Sequence, residues 1–308
     1  MKIAHLSDLH LLDLAGVSAS RLYLNKRLTG MVNLRMKREH KHRPAVLEAL
    51  IDDLRAGAVD HVIVSGDLTN LALDEEFALA RRVLDRLALP AEALTVVPGN
   101  HDLYTRGAAR SERFAKHFGP NIASDLPTPE GLRYPFVRLR GPAAIVGLST
   151  AVPRLPLVAS GHLGAAQFEA LKALLEHPEV KARTPVVVAH HPVVNPTRTM
   201  ARLLRGWHDA DPVRELLTRG RPVTLSLHGH LHHRGQAALH GDAGETLHVL
   251  GATSASLLDP RPGRMGAYNL YELSDDGRLA GARARVWSPA EGAVVDAPSL
   301  GPSAVWHG

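Results

Sequence analysis

The sequence contains no cysteine among its 308 residues. This absence excludes disulfides, thiolate zinc sites, iron–sulfur clusters and a catalytic thiol, and it restricts any metal site to nitrogen and oxygen ligands. No run of apolar residues reaches the roughly 18 that a membrane span needs. The N-terminus becomes polar at Ser7 and Asp8, which is too early for a signal peptide, so we expect a cytoplasmic protein.

Histidine is the unusual feature of an otherwise ordinary composition. Lys and Arg number 36 against 31 Asp and Glu, and 45% of the residues are hydrophobic, which is typical of a water-soluble globular protein. There are 19 histidines, and the informative ones lie in short clusters beside Asp, Asn and Gly. Imidazole together with carboxylate suits manganese, iron, zinc or cobalt, so the composition favours a mixed nitrogen and oxygen metal centre.

Five short apolar runs each end in a residue that can bind a metal. These predicted strands lie at 2–6, 61–65, 94–97, 186–189 and 224–227. Helical apolar spacing occurs between them, at 44–55, 72–88, 165–176 and 211–218. Strands alternating with helices predict an α/β fold whose ligands lie at the carboxyl ends of the strands. Further strands at 246–251, 266–273 and 279–287 favour a second, largely antiparallel sheet packed face to face on the first.

The loops after the five strands supply enough ligands for two metal ions. Two ions held roughly 3.5–4 Å apart need a bridging group, and a carboxylate bridges best. Asp8 and His10 are alternate residues that point the same way in an extended segment and can bind one ion. The spacing of His230 and His232 leaves open whether they serve one ion or two. The seven candidate metal ligands are Asp8, His10, Asp67, Asn100, His190, His230 and His232.

These motifs, in this order, resemble the calcineurin-like metallophosphoesterase superfamily over about residues 1–233. The motifs are Asp8-Leu9-His10, Gly66-Asp67, Gly99-Asn100-His101-Asp102, His190 and Gly229-His230-Leu231-His232. The resemblance implies a four-layer αββα sandwich with a binuclear centre at the C-terminal ends of the strands. It also implies two ligand sets that share Asp67. One set is Asp8, His10, Asp67 and His232, and the other is Asp67, Asn100, His190 and His230.

The resemblance also implies a reaction, which is hydrolysis of a phosphate ester by in-line attack of a metal-bound hydroxide on phosphorus. In the family, the histidine at the position of His101 is not a ligand but contacts the phosphate and assists the leaving group. Asp102 then either orients His101 or acts as a turn carboxylate that caps the next helix. Asn100 is expected to contact substrate as well. His233 and Arg234 either line the pocket or lie in an exposed loop.

The opening Ile3–Leu11, the Gly66-Asp67-Leu68-Thr69 block and the Gly-His-Leu-His ending resemble a bacterial branch similar to class III cyclic nucleotide phosphodiesterases and glycerophosphodiesterases. We therefore favour a small phosphodiester substrate, either a nucleotide or a glycerophosphodiester, over nucleic acid. Two divalent ions are expected, with manganese or iron favoured and zinc or cobalt as alternatives. Three other functions stay open: a metal-dependent nuclease, a phosphomonoesterase and a non-catalytic binding scaffold.

The sequence predicts a single domain over 1–308 with two unusual segments. Residues 13–43 form a basic, cap-like insertion that starts directly after His10 and is rich in arginine, lysine and leucine. This insertion is interpreted either as an amphipathic surface element or as a cap that attracts an anionic substrate or makes peripheral contact with a membrane. The tail from about 288 is expected to be extended.

Overall fold

A computed structural model describes residues 1–15, 17 and 41–297. In chain order, the strands of these residues are β1 (Lys2–Leu6), β2 (His61–Val64), β3 (Leu94–Val96), β4 (Phe136–Arg140), β5 (Ala143–Gly147), β6 (Thr184–Val188), β7 (Val223–His228), β8 (Gly235–His240), β9 (Thr246–Gly251), β10 (Ala267–Leu273), β11 (Leu279–Ser288) and β12 (Ala293–Asp296). The α-helices are α1 (Pro44–Ala56), α2 (Asp74–Asp85), α3 (Arg106–Arg110), α4 (Arg113–Phe118), α5 (Ala165–Glu176), α6 (Pro178–Lys181), α7 (Thr199–Arg205) and α8 (Ala210–Thr218). Short 3₁₀ turns lie at Ala91–Ala93 and Gly119–Ile122.

The strands form two six-stranded sheets in the orders β12-β11-β10-β1-β2-β3 and β4-β5-β6-β7-β9-β8. Both sheets are mixed. In the first sheet, β1, β2 and β3 are parallel, and β10 pairs antiparallel with β1. In the second sheet, β5, β6, β7 and β9 are parallel, while β4 and β8 are antiparallel edge strands. All the parallel strands therefore direct their carboxyl ends toward the loops that carry the candidate ligands.

Burial on both faces of the second sheet produces the layered sandwich. Ile145 and Val186 belong to a core cluster that also contains first-sheet residues such as Ile63. Their neighbours Val146 and Val187 belong to a separate cluster with residues of α5 and α8. Because successive strand residues point to opposite faces, one face packs on the other sheet and the other face packs on helices. The four-layer αββα expectation is confirmed.

The predicted distribution of strands between the sheets is wrong. The strands after residue 246 do not form a sheet of their own, because β9 joins β7 and the strands β10 to β12 extend the first sheet from β1. The five ligand-bearing strands are likewise split between the two sheets. Four strands were not predicted: β4, β5, the edge strand β8 and β12. The predicted tail from about 288 contains β12, which pairs with β11, and most of the 13–43 insertion lies outside the described residues.

A buried carboxyl group sits at the start of α2. Glu76 Oε2 accepts hydrogen bonds from the backbone N–H groups of Leu71 (2.9 Å) and Leu73 (3.1 Å). The side chain is fully buried, and burial raises the pKa of Glu76 to about 8. The folded protein therefore holds this carboxyl protonated over a pH range in which the unfolded chain ionises it.

This difference gives a first testable prediction. A raised folded-state pKa stabilises the protein fully below about pH 4.5, and the contribution is lost as the pH rises through about 8. Glu76→Gln removes the titration, so the variant is expected to gain stability relative to the wild type between about pH 5 and 8, by about 1.4 kcal/mol for each step of one in pH. Urea unfolding at several pH values measures this difference. The surface variant Glu48→Gln is the control, and its free energy of unfolding is expected to change with pH as that of the wild type does. The same parallel change in Glu76→Gln would contradict the prediction.

Candidate metal centre

The seven predicted ligands lie on loops that follow β1, β2, β3, β6 and β7, and the structure brings these loops together. Among the described residues, potential ligand atoms converge in three groups, within which all atoms lie within 4.8 Å of one another. These groups are Asp8, Asp67 and His190, then His10, Asp67 and His101, and finally His10, His42 and His232. Asp67 belongs to two of them, which places its carboxylate at the centre of the cluster.

The Asp67 carboxylate lies between imidazoles from both sheets. Its Oδ2 is 3.4 Å from Nε2 of His190 and 3.8 Å from Nε2 of His10. Its Oδ1 accepts a hydrogen bond from the backbone N–H of His101 at 2.7 Å. The side chain is thus fixed through one oxygen, and the other oxygen faces two possible ligand sets.

One side of the cluster combines Asp8, His10 and His232. Oδ1 of Asp8 is 3.0 Å from Nε2 of His232 and 3.6 Å from Nε2 of His10. The two imidazole Nε2 atoms lie 3.0 Å apart. Burial by itself would raise the pKa of Asp8, but the neighbouring imidazoles of His232 and His190 lower it overall. Asp8 is therefore an anion surrounded by nitrogen atoms.

The other side combines His190, Asn100 and His230. Nε2 of His190 is 3.2 Å from Oδ1 of Asn100, and Nδ1 of His190 donates to the Ser65 carbonyl at 2.8 Å. The ring of His230 lies 5.1 Å from the ring of His190. Nε2 of His230 donates to the carbonyl of Arg205, so Nδ1 is the His230 atom that suits coordination. His230 is not in any of the three groups of converging ligand atoms described above.

The donor chemistry fits divalent cations. With Nδ1 of His190 donating to Ser65, Nε2 of a neutral imidazole is an acceptor, and it faces two acceptor oxygens of Asp67 and Asn100. Oδ1 of Asp8 is buried and accepts no hydrogen bond from the residues that the structure describes. Burial lowers the pKa of His190, but the Asp67 carboxylate outweighs this and raises it to about 9. Without a metal ion, a proton on Nε2 therefore supplies the positive charge between these oxygens, and a bound cation would replace that proton. Such converging acceptors favour a bound cation, and metal-binding histidines typically donate their other ring N–H to a carbonyl, as His190 does to Ser65.

Backbone conformation directs these side chains into the cluster. Asp8, His10, Asp67, His230 and His232 all have a positive φ, between 47° and 67°. Non-glycine residues in this left-handed region are uncommon and cost about 1 kcal/mol or more each. Five of them at one site indicate that the surrounding structure imposes the conformation for function.

The glycines of the motifs permit close contact between loops. A Cβ atom on Gly66 would lie 2.6 Å from the backbone nitrogen of Gly99. A Cβ on Gly99 would collide with the Asp67 carboxylate, and one on Gly229 would collide with Oγ of Ser7 and Oδ2 of Asp8. The Gly-Asp, Gly-Asn and Gly-His pairs are therefore a steric requirement of the site.

His101 is held at the edge of the cluster. Its Nδ1 donates to the carbonyl of Asn70 at 2.7 Å, and its ring stacks on Tyr104 with centroids 5.5 Å apart. Asn70 also donates from Nδ2 to the carbonyls of His10 and Leu11. Because Nδ1 is engaged with Asn70, Nε2 is the nitrogen that suits proton transfer at the site.

The prediction that Asp102 orients His101 is wrong. The Asp102 carboxylate accepts hydrogen bonds from the backbone N–H groups of Leu68, Thr69 and Gly99, and from the Thr69 hydroxyl. It therefore ties the loop after β2 to the loop after β3, while the Asn70 carbonyl positions His101. Burial, followed by the nearby Asp67 charge, raises the pKa of Asp102 to about 7.

The remaining predicted residues take different positions. His233 and Arg234 are partly buried. Arg234 lines a cavity of about 50 Å³ with Asn269 and Tyr271, between strands of the two sheets. A contact of either residue with substrate stays a prediction.

Sequence reasoning missed His42, which precedes α1. Its ring centroid lies 4.8 Å from that of His10 and 5.7 Å from that of His232. Nδ1 of His42 lies 2.7 Å from the Ser256 hydroxyl, and Arg43 N–H donates to the Ser256 carbonyl. His42 follows no predicted strand and belongs to none of the metal-binding motifs. Only its position at the end of the basic segment 13–43 could have indicated a place near the metal centre.

Comparison with known proteins identifies the family of the chain. A family profile described as calcineurin-like phosphoesterase matches residues 1–234. The chain belongs to the calcineurin-like phosphoesterase family. The chain is 37% identical over 75 residues to the glycerophosphodiester phosphodiesterase GpdQ of Enterobacter lignolyticus (strain SCF1), a match that spans 24% of this chain and 23% of that protein.

Solved structures share the fold of this calcineurin-like phosphoesterase. A dimetal phosphatase from Danio rerio superposes with a TM-score of 0.54 at 16% identity, covering 92% of this chain and 94% of that one. A 5′-nucleotidase precursor from Thermus thermophilus superposes with a TM-score of 0.51 at 14% identity, covering 92% of this chain and 53% of that one. The described residues of this family member include His and Asp side chains that could hold a metal ion. No helix among its described residues is long and apolar enough to cross a membrane.

Proposed function

We propose that the protein hydrolyses small phosphodiesters at a binuclear metal centre bridged by Asp67. The observation that carries this proposal is the position of the Asp67 carboxylate between His10 of the first sheet and His190 of the second. One ion would be held by Asp8, His10, Asp67 and His232, and the other by Asp67, Asn100, His190 and His230. When bound, two divalent ions would supply Lewis acidity and lower the pKa of coordinated water.

The protein's own groups would then position and protonate the substrate. His101, fixed by the Asn70 carbonyl and by Tyr104, would donate a proton from Nε2 to the leaving oxygen. Asn100, beside His190, would contact a phosphate oxygen through its amide. The backbone N–H of His101 holds Asp67, so the proton donor and the bridging carboxylate move as one unit.

A cavity beside the cluster supports a small organic substrate. It has a volume of about 300 Å³ and is lined by His10 and His42 together with apolar side chains that include Leu12, Leu47 and Val83. This volume is at the lower end of the range of small-molecule sites. The local similarity to a glycerophosphodiester phosphodiesterase favours a diester over a monoester.

The decisive experiment compares a diester with a monoester. Chelator-stripped protein reconstituted with Mn²⁺ is expected to cleave bis(4-nitrophenyl) phosphate faster than 4-nitrophenyl phosphate. A preference for the monoester would overturn the diesterase assignment. Absence of turnover of both substrates with Mn²⁺, Fe²⁺, Zn²⁺ and Co²⁺ would overturn the proposal that the protein is an enzyme.

A variant of His101 tests the proton-transfer role. His101→Gln is expected to slow hydrolysis of an alkyl diester such as glycerophosphocholine by about 10²–10⁴-fold. The loss with bis(4-nitrophenyl) phosphate is expected to be much smaller, because 4-nitrophenolate leaves without a proton. Equal losses with both substrates would contradict proton donation and assign His101 to phosphate binding.

A further inference from the structure

The most exposed large apolar side chains of the described residues lie on two neighbouring segments. Leu155 and Leu157 are 77% and 84% exposed, and Met200 and Leu203 of α7 are 63% and 55% exposed. The helix α7 has no buried residue at all. A surface helix normally packs its apolar face on the core. In contrast, α7 directs its apolar side chains into solvent.

Backbone hydrogen bonds join the two segments into one surface. The N–H of Ala159 donates to the Leu204 carbonyl at 2.8 Å, and the N–H of Gly161 donates to the Gly206 carbonyl at 3.0 Å. The two segments that carry the four apolar side chains are therefore neighbours, and we name the surface they form the Leu157 surface. Contiguous exposed apolar patches on soluble proteins usually mark a binding surface.

The Leu157 surface has an excess of positive charge. Residues 151–163 and 197–207 contain four arginines and no aspartate or glutamate. The arginines are Arg154, Arg198, Arg202 and Arg205. Two carboxylates border the surface: Asp211 lies 3.2 Å from Arg202 and 2.7 Å from Arg214, and Asp209 lies 3.1 Å from His162. Four arginines against these two carboxylates leave a positive excess.

The Leu157 surface adjoins the metal centre. Nε2 of His230 donates to the carbonyl of Arg205, which is the last residue of α7. Nε2 of His191 donates to the carbonyl of Ala159 at 2.9 Å, and the His191 ring packs 4.3 Å from the ring of His230. Both segments of the surface are thus anchored to histidines at the site.

We propose that the Leu157 surface binds an anionic phospholipid membrane, with leucine and methionine entering the interface and arginine contacting lipid phosphates. Apolar side chains beside an excess of arginine are the combination that interfacial binding favours. A water-soluble small molecule would not need four exposed apolar side chains outside the cavity. This proposal does not depend on the proposed function.

Vesicle cosedimentation of the chelator-stripped 308-residue chain tests the proposal without lipid hydrolysis. The protein is expected to bind vesicles of phosphatidylcholine with phosphatidylglycerol, to bind less as salt is raised, and to bind pure phosphatidylcholine weakly. Leu157→Gln with Leu203→Gln is expected to reduce binding at least about tenfold. Arg198→Gln is expected to reduce it about fivefold.

Arg278→Gln is the matched control for charge. Arg278 lies in the turn after β10, whose last residues pair with the start of β1, so it is at the end of the sandwich opposite the site. Arg278→Gln is expected to leave vesicle binding unchanged.

The Leu157/Leu203 variant must keep the far-UV circular dichroism spectrum and the urea unfolding midpoint of the wild type, which shows that it is folded. The proposal is overturned if the wild type does not bind anionic vesicles, if the double leucine variant binds as well as the wild type, or if Arg278→Gln weakens binding as much as Arg198→Gln.

Discussion

Asp67→Asn is expected to lower diester turnover about 10³-fold, because loss of the bridging charge removes several kcal/mol of transition-state stabilisation and each 1.36 kcal/mol is about tenfold. Asparagine keeps the size of the side chain and an oxygen that accepts from the His101 N–H. The variant is therefore expected to remain folded while it loses one of two bound ions.

Turnover at saturating Mn²⁺ and metal content by mass spectrometry measure the two effects separately. Asp52→Asn, a surface carboxylate on α1 that pairs with Arg86, serves as the charge-matched control. Two tightly bound ions together with wild-type turnover in Asp67→Asn would contradict the bridging role.

Gly229→Ala is expected to lower both stability and turnover. The added methyl group would collide with Oγ of Ser7 and Oδ2 of Asp8, both buried and fixed on the loop after β1. Such overpacking lowers the free energy of unfolding by about 1–3 kcal/mol. A displacement of Asp8 by about 1 Å is expected to lower turnover about 10²-fold.

The free energy of unfolding and diester turnover provide the test. Gly119→Ala is the matched control, because a Cβ there meets nothing within 4 Å and the residue has helical backbone angles. Gly119→Ala should leave turnover unchanged. Wild-type stability and turnover in Gly229→Ala would contradict the prediction, because they would show that the loops after β1 and β7 accommodate the added methyl group without displacing Asp8.

The sequence predicted those parts of the site that depend on local order along the chain. A strand that ends in Asp8 or His190 is visible as an apolar run followed by a ligand. The α/β class and the placement of ligands at strand ends follow from the same local patterns.

Long-range pairing determined the rest. Nothing local distinguishes β9, which joins the second sheet, from β10, which joins the first. His42 reaches the cluster because its segment pairs with residues near Leu257. Asp102 sits next to His101 in sequence, yet its carboxylate is satisfied by the loop after β2, so adjacency in the chain gave the wrong partner for His101.

The split of the ligands between two sheets has a consequence for the whole molecule. In the proposed centre, each ion joins first-sheet residues such as Asp8 and Asp67 to second-sheet residues such as His232 and His190. Each ion would therefore act as a cross-link between the two sheets of the sandwich. Disulfides provide such cross-links in other proteins, but this chain has no cysteine and cannot form them. An ion present at about 1,000 times its dissociation constant adds about 4 kcal/mol to stability. The cohesion of the two sheets would then follow the supply of metal in the surroundings.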